Sequence, residues 1–458
     1  MKRKRNFNKQ ETFMIAALLC LGLISGFVHH ASAQQTASVS VQTMSTPPSV
    51  YVIRNARVVT VSGADIERGT ILIRNGRIEA VGTTVNAPAG AQEIDASGLT
   101  VYPGMMDAGT NMGLAEIGAV GATVDTNELG ELNPNAQAVV AINPHTAHVD
   151  VTRVAGVTNV VSMPEGGTIS GQAAIINLNG TTGSEMAIVP AAALVMSLPR
   201  AGGGGFFQQT QAPPSQEALA AREQQTEQLR KMLRDSEAYG RAQDAYRRDP
   251  GSVPRPDNDV VLGSLVPYVR GERPVLFRAD RERDIRAAIR FAEEMKLKAI
   301  ILGGDDAWKV ASLLKGKNVP VILTGVLDMP LREDDPYDVH YANAAALQQA
   351  GVRFCISTGD SGAHVRDLPF QAGMAAAFGL PRTEALKAVT LYPAQIMGVS
   401  DRLGSIEAGK LANLVVTDGD VLEARTNVRY LFIGGRQIPL VSRHTQLYET
   451  FKDRAVKQ

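Results

Sequence analysis

Apolar and polar residues alternate in short runs at both ends of the chain and fall into a longer rhythm between them. The N-terminal runs are 51–60, 69–74 and 77–81, the last two separated by Asn75-Gly76. Asn-Gly between alternating runs predicts a β-hairpin, because both residues tolerate the positive φ of a two-residue turn. This block, 50–100, predicts a small β-sandwich. Residues 404–416 and 428–438 show the same short-strand texture within a second block, 401–445.

Residues 101–400 read differently. Apolar runs at 157–161, 275–277, 298–302, 319–323 and 352–356 predict strands, and the segment 281–296 places Ile285, Ala288, Ile289, Ala292 and Met295 on one helical face. Asp305-Asp306 before Ala307-Trp308 predicts a helix start. Strands alternating with amphipathic helices predict a (β/α)8 barrel. The stretch from Val101 through Pro103-Gly104, Met105-Met106 and Asp107 to Asn111 is an apolar run ending in polar residues, as expected of a buried strand that delivers side chains to a site at its C-terminal end. One insertion, 200–256, breaks the rhythm: a Gly-rich low-complexity tract, a charged helix over 215–248 and a Pro-rich return, read as a surface excursion or, functionally, as a lid or docking arm.

Composition changes the picture at the start of the chain. Lys2, Arg3, Lys4, Arg5 and Lys9 precede an apolar run over 13–28, and Ala31-Ser32-Ala33 follows. The run is shorter than the ~20 residues a membrane span needs, so residues 1–33 predict a secretory signal cleaved near Ala33, giving a periplasmic or secreted protein. Residues 34–49 read as a flexible lead-in. The 458-residue chain is formally neutral; without residues 1–33 it carries 41 Lys+Arg against 45 Asp+Glu, a formal −4, which gives no basic surface for nucleic acid. Membrane contact is expected only through the export signal. Cys355 then remains alone, with no internal disulfide to form, and reads as a buried strand thiol.

Three motifs, in order, carry a resemblance. Pro103-Gly104 with Asp107, the segment 383–398 (Ala385-Leu386, Thr390, Pro393-Ala394, Gly398), and Gly404-Ser-Ile-Glu-Ala-Gly-Lys-Leu-Ala-Asn413 resemble the amidohydrolase superfamily, most nearly its imidazolonepropionase-related group. The resemblance implies a (β/α)8 TIM-like barrel over 101–400 and a composite β-sandwich domain formed by the two chain ends. It also implies a water activated on one or two divalent metals to attack a carbon–nitrogen bond. The family's metal-ligand histidines fall here on Gly109, Asn111, Arg278 and Gly303, none of them an imidazole.

Two functional readings remain open. One is a non-catalytic, ligand- or partner-binding member, with Arg278, Asp107 and Asn111 as ligand-binding candidates. Arg278 would clamp a carboxylate or phosphate or pair with Asp107 or Asp360. The other is an active hydrolase of cyclic amides or related bonds that uses relocated metal ligands or a metal-free pair, Asp360 and His364. His145 and His148 are i, i+3 apart but read as surface residues, and Asp125, Glu128 and Glu131 as a polar loop. No cofactor is expected, or zinc or another divalent metal if ligands have moved. The expected partner is a small-molecule ligand or a homologous amidohydrolase subunit, with a homo-oligomer also open.

Overall fold

The computed structural model describes residues 50–199, 215–330, 332–359 and 361–457. The predicted export signal and lead-in, the Gly-rich tract up to residue 214 and Asp360 lie outside the described residues. Strands β1 (Val50–Val58), β2 (Ile66–Arg74), β3 (Arg77–Gly82), β4 (Gln92–Asp95) and β5 (Thr100–Pro103) open the chain. Eight barrel strands follow: β6 (Met105–Thr110), β7 (Val157–Ser162), β8 (Ile169–Asn177), β9 (Ala187–Met196), β10 (Val275–Ala279), β11 (Ala299–Gly303), β12 (Val321–Leu323) and β13 (Phe354–Ile356). The chain ends with β14 (Leu414–Thr417), β15 (Val428–Ile433) and β16 (Arg436–Ile438).

The two ends form one domain, as expected. The hydrogen-bonded order is β16-β15-β14-β5-β1-β2-β3, with β4 on β1. Asn75 and Gly76 adopt φ 51° and 80°, the left-handed pair that a tight hairpin needs. The sheet curls strongly: β1 and β15 are three strands apart, yet the rings of Tyr51 and Phe432 meet edge to face with centroids 5.3 Å apart. Ile53, Ile71, Ile73, Leu414 and Val416 fill the interior so enclosed.

Pro103-Gly104 is the crossing from this sheet into the barrel. A Cβ on residue 104 would overlap the Thr158 side chain, so only glycine fits. The Gly104 amide donates to Asn413 O at 2.8 Å. Asn413 itself donates to Asn159 Oδ1 and Asn177 Oδ1, both at 2.8 Å, and accepts from Gly434 N at 2.7 Å. The C-terminal motif thus ties the composite sheet to β7 and β8.

The barrel sheet runs in chain order from β6 to β13. One feature departs from the expected alternation of strands and helices: β8 pairs antiparallel with both β7 and β9, while the remaining neighbours are parallel. No long crossover separates these three strands, so a hairpin meander stands where βα units were predicted. After β9, helices separate each barrel strand from the next. Helix Glu282–Met295 buries Ile285, Ala288, Ile289 and Ala292, the predicted face. Full burial of each isoleucine contributes about 1.5–3 kcal/mol.

The described part of the insertion is more firmly seated than a loose excursion. Ser215 caps a 33-residue helix, Gln216–Arg248, by accepting from Ala218 N. Leu229 and Leu233 are fully buried, Ser236 Oγ donates to Leu262 O at 2.8 Å, and Arg230 Nε donates to Glu294 at 2.8 Å. With helix Val260–Val269 it forms the crossover from β9 to β10. The helix predicted to start at Asp305-Asp306 is a single 3-10 turn, Ala307–Val310, before helix Ala311–Lys317. Asp306 does not cap it, because its carboxylate is held by cations instead. Among the described residues no helix is long and apolar enough to cross a membrane.

Candidate functional site

The C-terminal strand ends converge on one mouth, and its construction starts at the seam between the first and last barrel strands. Asp107 of β6 is completely buried. Its Oδ1 accepts from Gly109 N at 3.0 Å and from Ser357 Oγ; its Oδ2 accepts from Thr358 N at 3.1 Å and Thr358 Oγ1 at 2.6 Å. Burial pushes this carboxyl up from the usual carboxylate range, and the donors from Ser357, Thr358 and Gly109 oppose that rise. Hydrogen bonds centred on Asp107, with Ser357 Oγ also donating to Gly109 O at 3.0 Å, therefore join β6 to the residues after β13. Asp107 was expected to face a ligand; it faces the seam.

Above the seam, Asn111 Oδ1 accepts from Gly362 N at 2.9 Å, and Asn111 Nδ2 donates to Glu165 at 3.4 Å. Arg278 projects from the end of β10, where its Nη2 donates to Pro164 O at 3.4 Å and its buried Nε has no hydrogen-bond partner. Burial pulls this guanidinium below its ordinary range, while Glu165 and then Asp280 act in the opposite direction. Of the two carboxylates expected to pair with Arg278, Asp107 is already saturated at the seam and Asp360 lies outside the described residues; the charges acting on Arg278 are Glu165 and Asp280. Glu165 and Asp280 escaped sequence reading, although each directly follows a barrel strand or its first turn, where barrel chemistry usually stands.

Two of the positions that the resemblance aligns with metal ligands are crowded. A Cβ on Gly109 would stand 3.1 Å from Leu302 Cδ1, 3.1 Å from Met163 Cε and 3.3 Å from Ser357 Oγ, so apolar side chains fill the space an imidazole would need. A Cβ on Gly303 would overlap the Asp280 carboxylate. Among the described residues no group of three or more His, Cys, Asp or Glu stands close enough to hold a metal ion. As packed here, positions 109 and 303 leave no room for an imidazole.

The remaining candidates are dispersed. His364 is an exposed residue just before the 3-10 turn Val365–Asp367, and its partner in the proposed pair, Asp360, lies outside the described residues. His145 precedes helix Ala147–Arg153 rather than lying on it, and His148 Nε2 contacts Glu116 O at 3.0 Å, so the two imidazoles share no helical face. Asp125, Glu128 and Glu131 belong to an exposed polar loop. Cys355 is fully buried in β13, and burial, with Asp107 nearby, pushes its thiol up, which keeps it unreactive.

An open-ended barrel with its mouth at the strand C-termini, flanked by a sheet that both chain ends build, is the architecture the sequence predicts. Known proteins share it. Residues 287–438 match the model of the amidohydrolase family. The chain is similar to the crystal structure of an amidohydrolase from Thermotoga maritima, with a TM-score of 0.74 and 25% identity, covering 86% of this chain and 100% of that one. It is also similar to an amidohydrolase from Hapsidospora irregularis, 23% identical over 381 residues, which are 77% of this chain and 38% of that protein. A short stretch of 37 residues is 54% identical to N-acetylglucosamine-6-phosphate deacetylase from Haemophilus influenzae, covering 8% of this chain and 10% of the relative. The chain thus spans well under half the length of these curated relatives. Part of the chain matches the amidohydrolase family, and the chain's fold is the one seen in the Thermotoga maritima amidohydrolase.

Proposed function

We propose that this is an exported, ligand-binding member of the superfamily in which the hydrolytic metal centre has been dismantled and the barrel mouth retained as a receptacle for a small molecule. The observation that carries this reading is the packing of the former ligand positions: Leu302 and Met163 against Gly109, and Asp280 against Gly303. Loss of an imidazole alone leaves a cavity. Here the space has been refilled, as expected once a metal no longer occupies it. Arg278, Asn111 and Glu165 remain as polar groups around the mouth, and the incompletely bonded guanidinium of Arg278 suits a carboxylate or phosphate on the ligand. The basic and apolar start of the chain, ending in Ala31-Ser32-Ala33, supports export. The short-strand texture of the two ends supports affinity with the imidazolonepropionase-related group.

The test is elemental analysis of the purified mature protein by plasma mass spectrometry after equilibration with zinc and manganese, paired with a turnover screen of cyclic amides and dipeptides. Metal far below one per chain and no turnover are expected. Stoichiometric metal with turnover defeats the reading. Metal-free turnover that disappears in His364→Ala favours the Asp360/His364 hydrolase instead.

A further inference from the structure

Two adjacent aspartates after β11 are treated in opposite ways. Asp306 receives Lys309 Nζ and Arg332 Nη2, each at 2.9 Å. Asp305, whose side chain is 15% exposed, has no Lys or Arg ion pair among the described residues. Its near neighbour is His340, with Nδ1 3.8 Å from Asp305 Oδ1. Other carboxylates gather round it. Asp328 Oδ2 and Asp305 Oδ1 lie 2.5 and 3.5 Å from the point where a Cβ on Gly325 would stand, so at most about 6 Å separates them. Burial first, then Asp280, Asp328 and Asp306, push the Asp305 carboxyl up to about 7, and Arg281 offsets only part of this.

The floor of this cluster has unused polar atoms of its own. His340 and Asn343 stand one turn apart on helix Val339–Ala350 and are 5% and 3% exposed. Asn343 Nδ2 donates to Gly304 O and Asp305 O, which fixes the side chain beside Asp305, but its Oδ1 has no partner, and neither does His340 Nε2. Buried polar atoms without partners are uncommon in native proteins, and a bound polar group is one way to satisfy them. Asp328 is exposed, so the cluster opens from this buried floor to solvent.

We infer that the mouth of the barrel holds an organic cation, a primary ammonium or guanidinium on a small molecule with an apolar flank, between Asp305 and Asp328, with Asp280 adding to the field. The inference rests on the mouth being a ligand site, though not on what Arg278 holds. An organic cation is favoured over a bare metal, because no group of three or more His, Cys, Asp or Glu among the described residues is placed to hold one. One ammonium hydrogen-bonded to two carboxylates keeps their oxygens roughly 4–5.5 Å apart at N···O distances of about 2.8 Å.

The wider charge distribution agrees. The loop 111–137 after β6 carries Glu116, Asp125, Glu128 and Glu131 and no Lys or Arg. The loop 324–338 after β12 carries five acidic residues against Arg332. A chain that is formally −4 without its first 33 residues thus concentrates acid around the mouth, which draws cations inward. Leu129, Met329 and Tyr337 on the same loops are strongly exposed and supply apolar surface for the flank.

The experiment is calorimetric titration of the full mature protein at pH 8 with phenethylamine, agmatine and cadaverine, with 2-phenylethanol and phenylacetate as neutral and anionic controls. At least one amine is expected to bind at least tenfold more tightly than the alcohol, and Asp305→Asn and Asp328→Asn are each expected to weaken it tenfold or more while circular dichroism and melting stay cooperative. The inference is overturned if no amine binds, if amine and alcohol bind alike, or if both variants bind the amine as the parent does. Metal content and amide turnover do not enter this measurement, so its failure leaves the non-catalytic reading standing, and the reverse also holds.

Discussion

Asp107 and Asp305 are both carboxylates at the barrel mouth, and burial pushes both up, yet the protein has invested in them differently. Asp107 is sealed from solvent and given donors on both oxygens from Gly109, Ser357 and Thr358. Asp305 is left among other acids, and the nearby cations Lys309 and Arg332 are drawn to Asp306. The first arrangement stabilises the barrel. The second costs stability, because partly desolvated like charges repel. A costly arrangement that its own neighbours make no attempt to relieve is a mark of a site kept for something else.

The seam is where the largest effect is expected. Asp107→Ala strands four donors in the interior and is expected to destabilise the protein by about 3–5 kcal/mol, read from urea unfolding; a loss near zero removes Asp107 as the centre of the seam. The opposite sign is expected at the mouth. The folded-state pKa of Asp305 is raised, so its contribution is intact at pH below about 4 and is lost as pH rises through about 7. Asp305→Asn removes that loss and is expected to be more stable than the parent at pH 8 by about 1–3 kcal/mol, with the difference vanishing near pH 4. A variant less stable than the parent at pH 8 refutes the contrast. Gly109→Ala is expected to cost about 1–3 kcal/mol through crowding against Leu302 and Met163, and thermal melting measures it. Ser357→Ala removes one donor from Asp107 and is expected to cost about 1 kcal/mol; if it matches Asp107→Ala, the seam depends on that hydroxyl rather than on the shared network.

The sequence made the local devices legible. Asn75-Gly76 announces its hairpin, and Ile285, Ala288, Ile289 and Ala292 announce the helix they bury. Glycine at 104 is explained by Thr158, but its position after an apolar run and Pro103 was enough to mark the crossing. The meander was harder to see. Strand β8 is buried on both faces, so it shows no alternation from which a strand, or its direction, can be read. The site was least legible of all. Asp305-Asp306 looks like a cap because acid before a helix usually is one, and only the fold reveals that Arg332 arrives to claim Asp306. Likewise Asp280 reaches Gly303, and His340 reaches Asp305, across distances that no local pattern records.

The composite sheet also sets a timetable for folding. Strand β5 pairs with β14, Pro103 opposite Leu414, across more than three hundred intervening residues. While the chain emerges N-terminus first, β1 to β5 present an apolar face and an open edge that nothing available can cover. Contacts this distant in sequence form slowly, and a waiting edge invites pairing with another copy. A chain cut short before β14 is therefore expected to aggregate rather than to keep partial function.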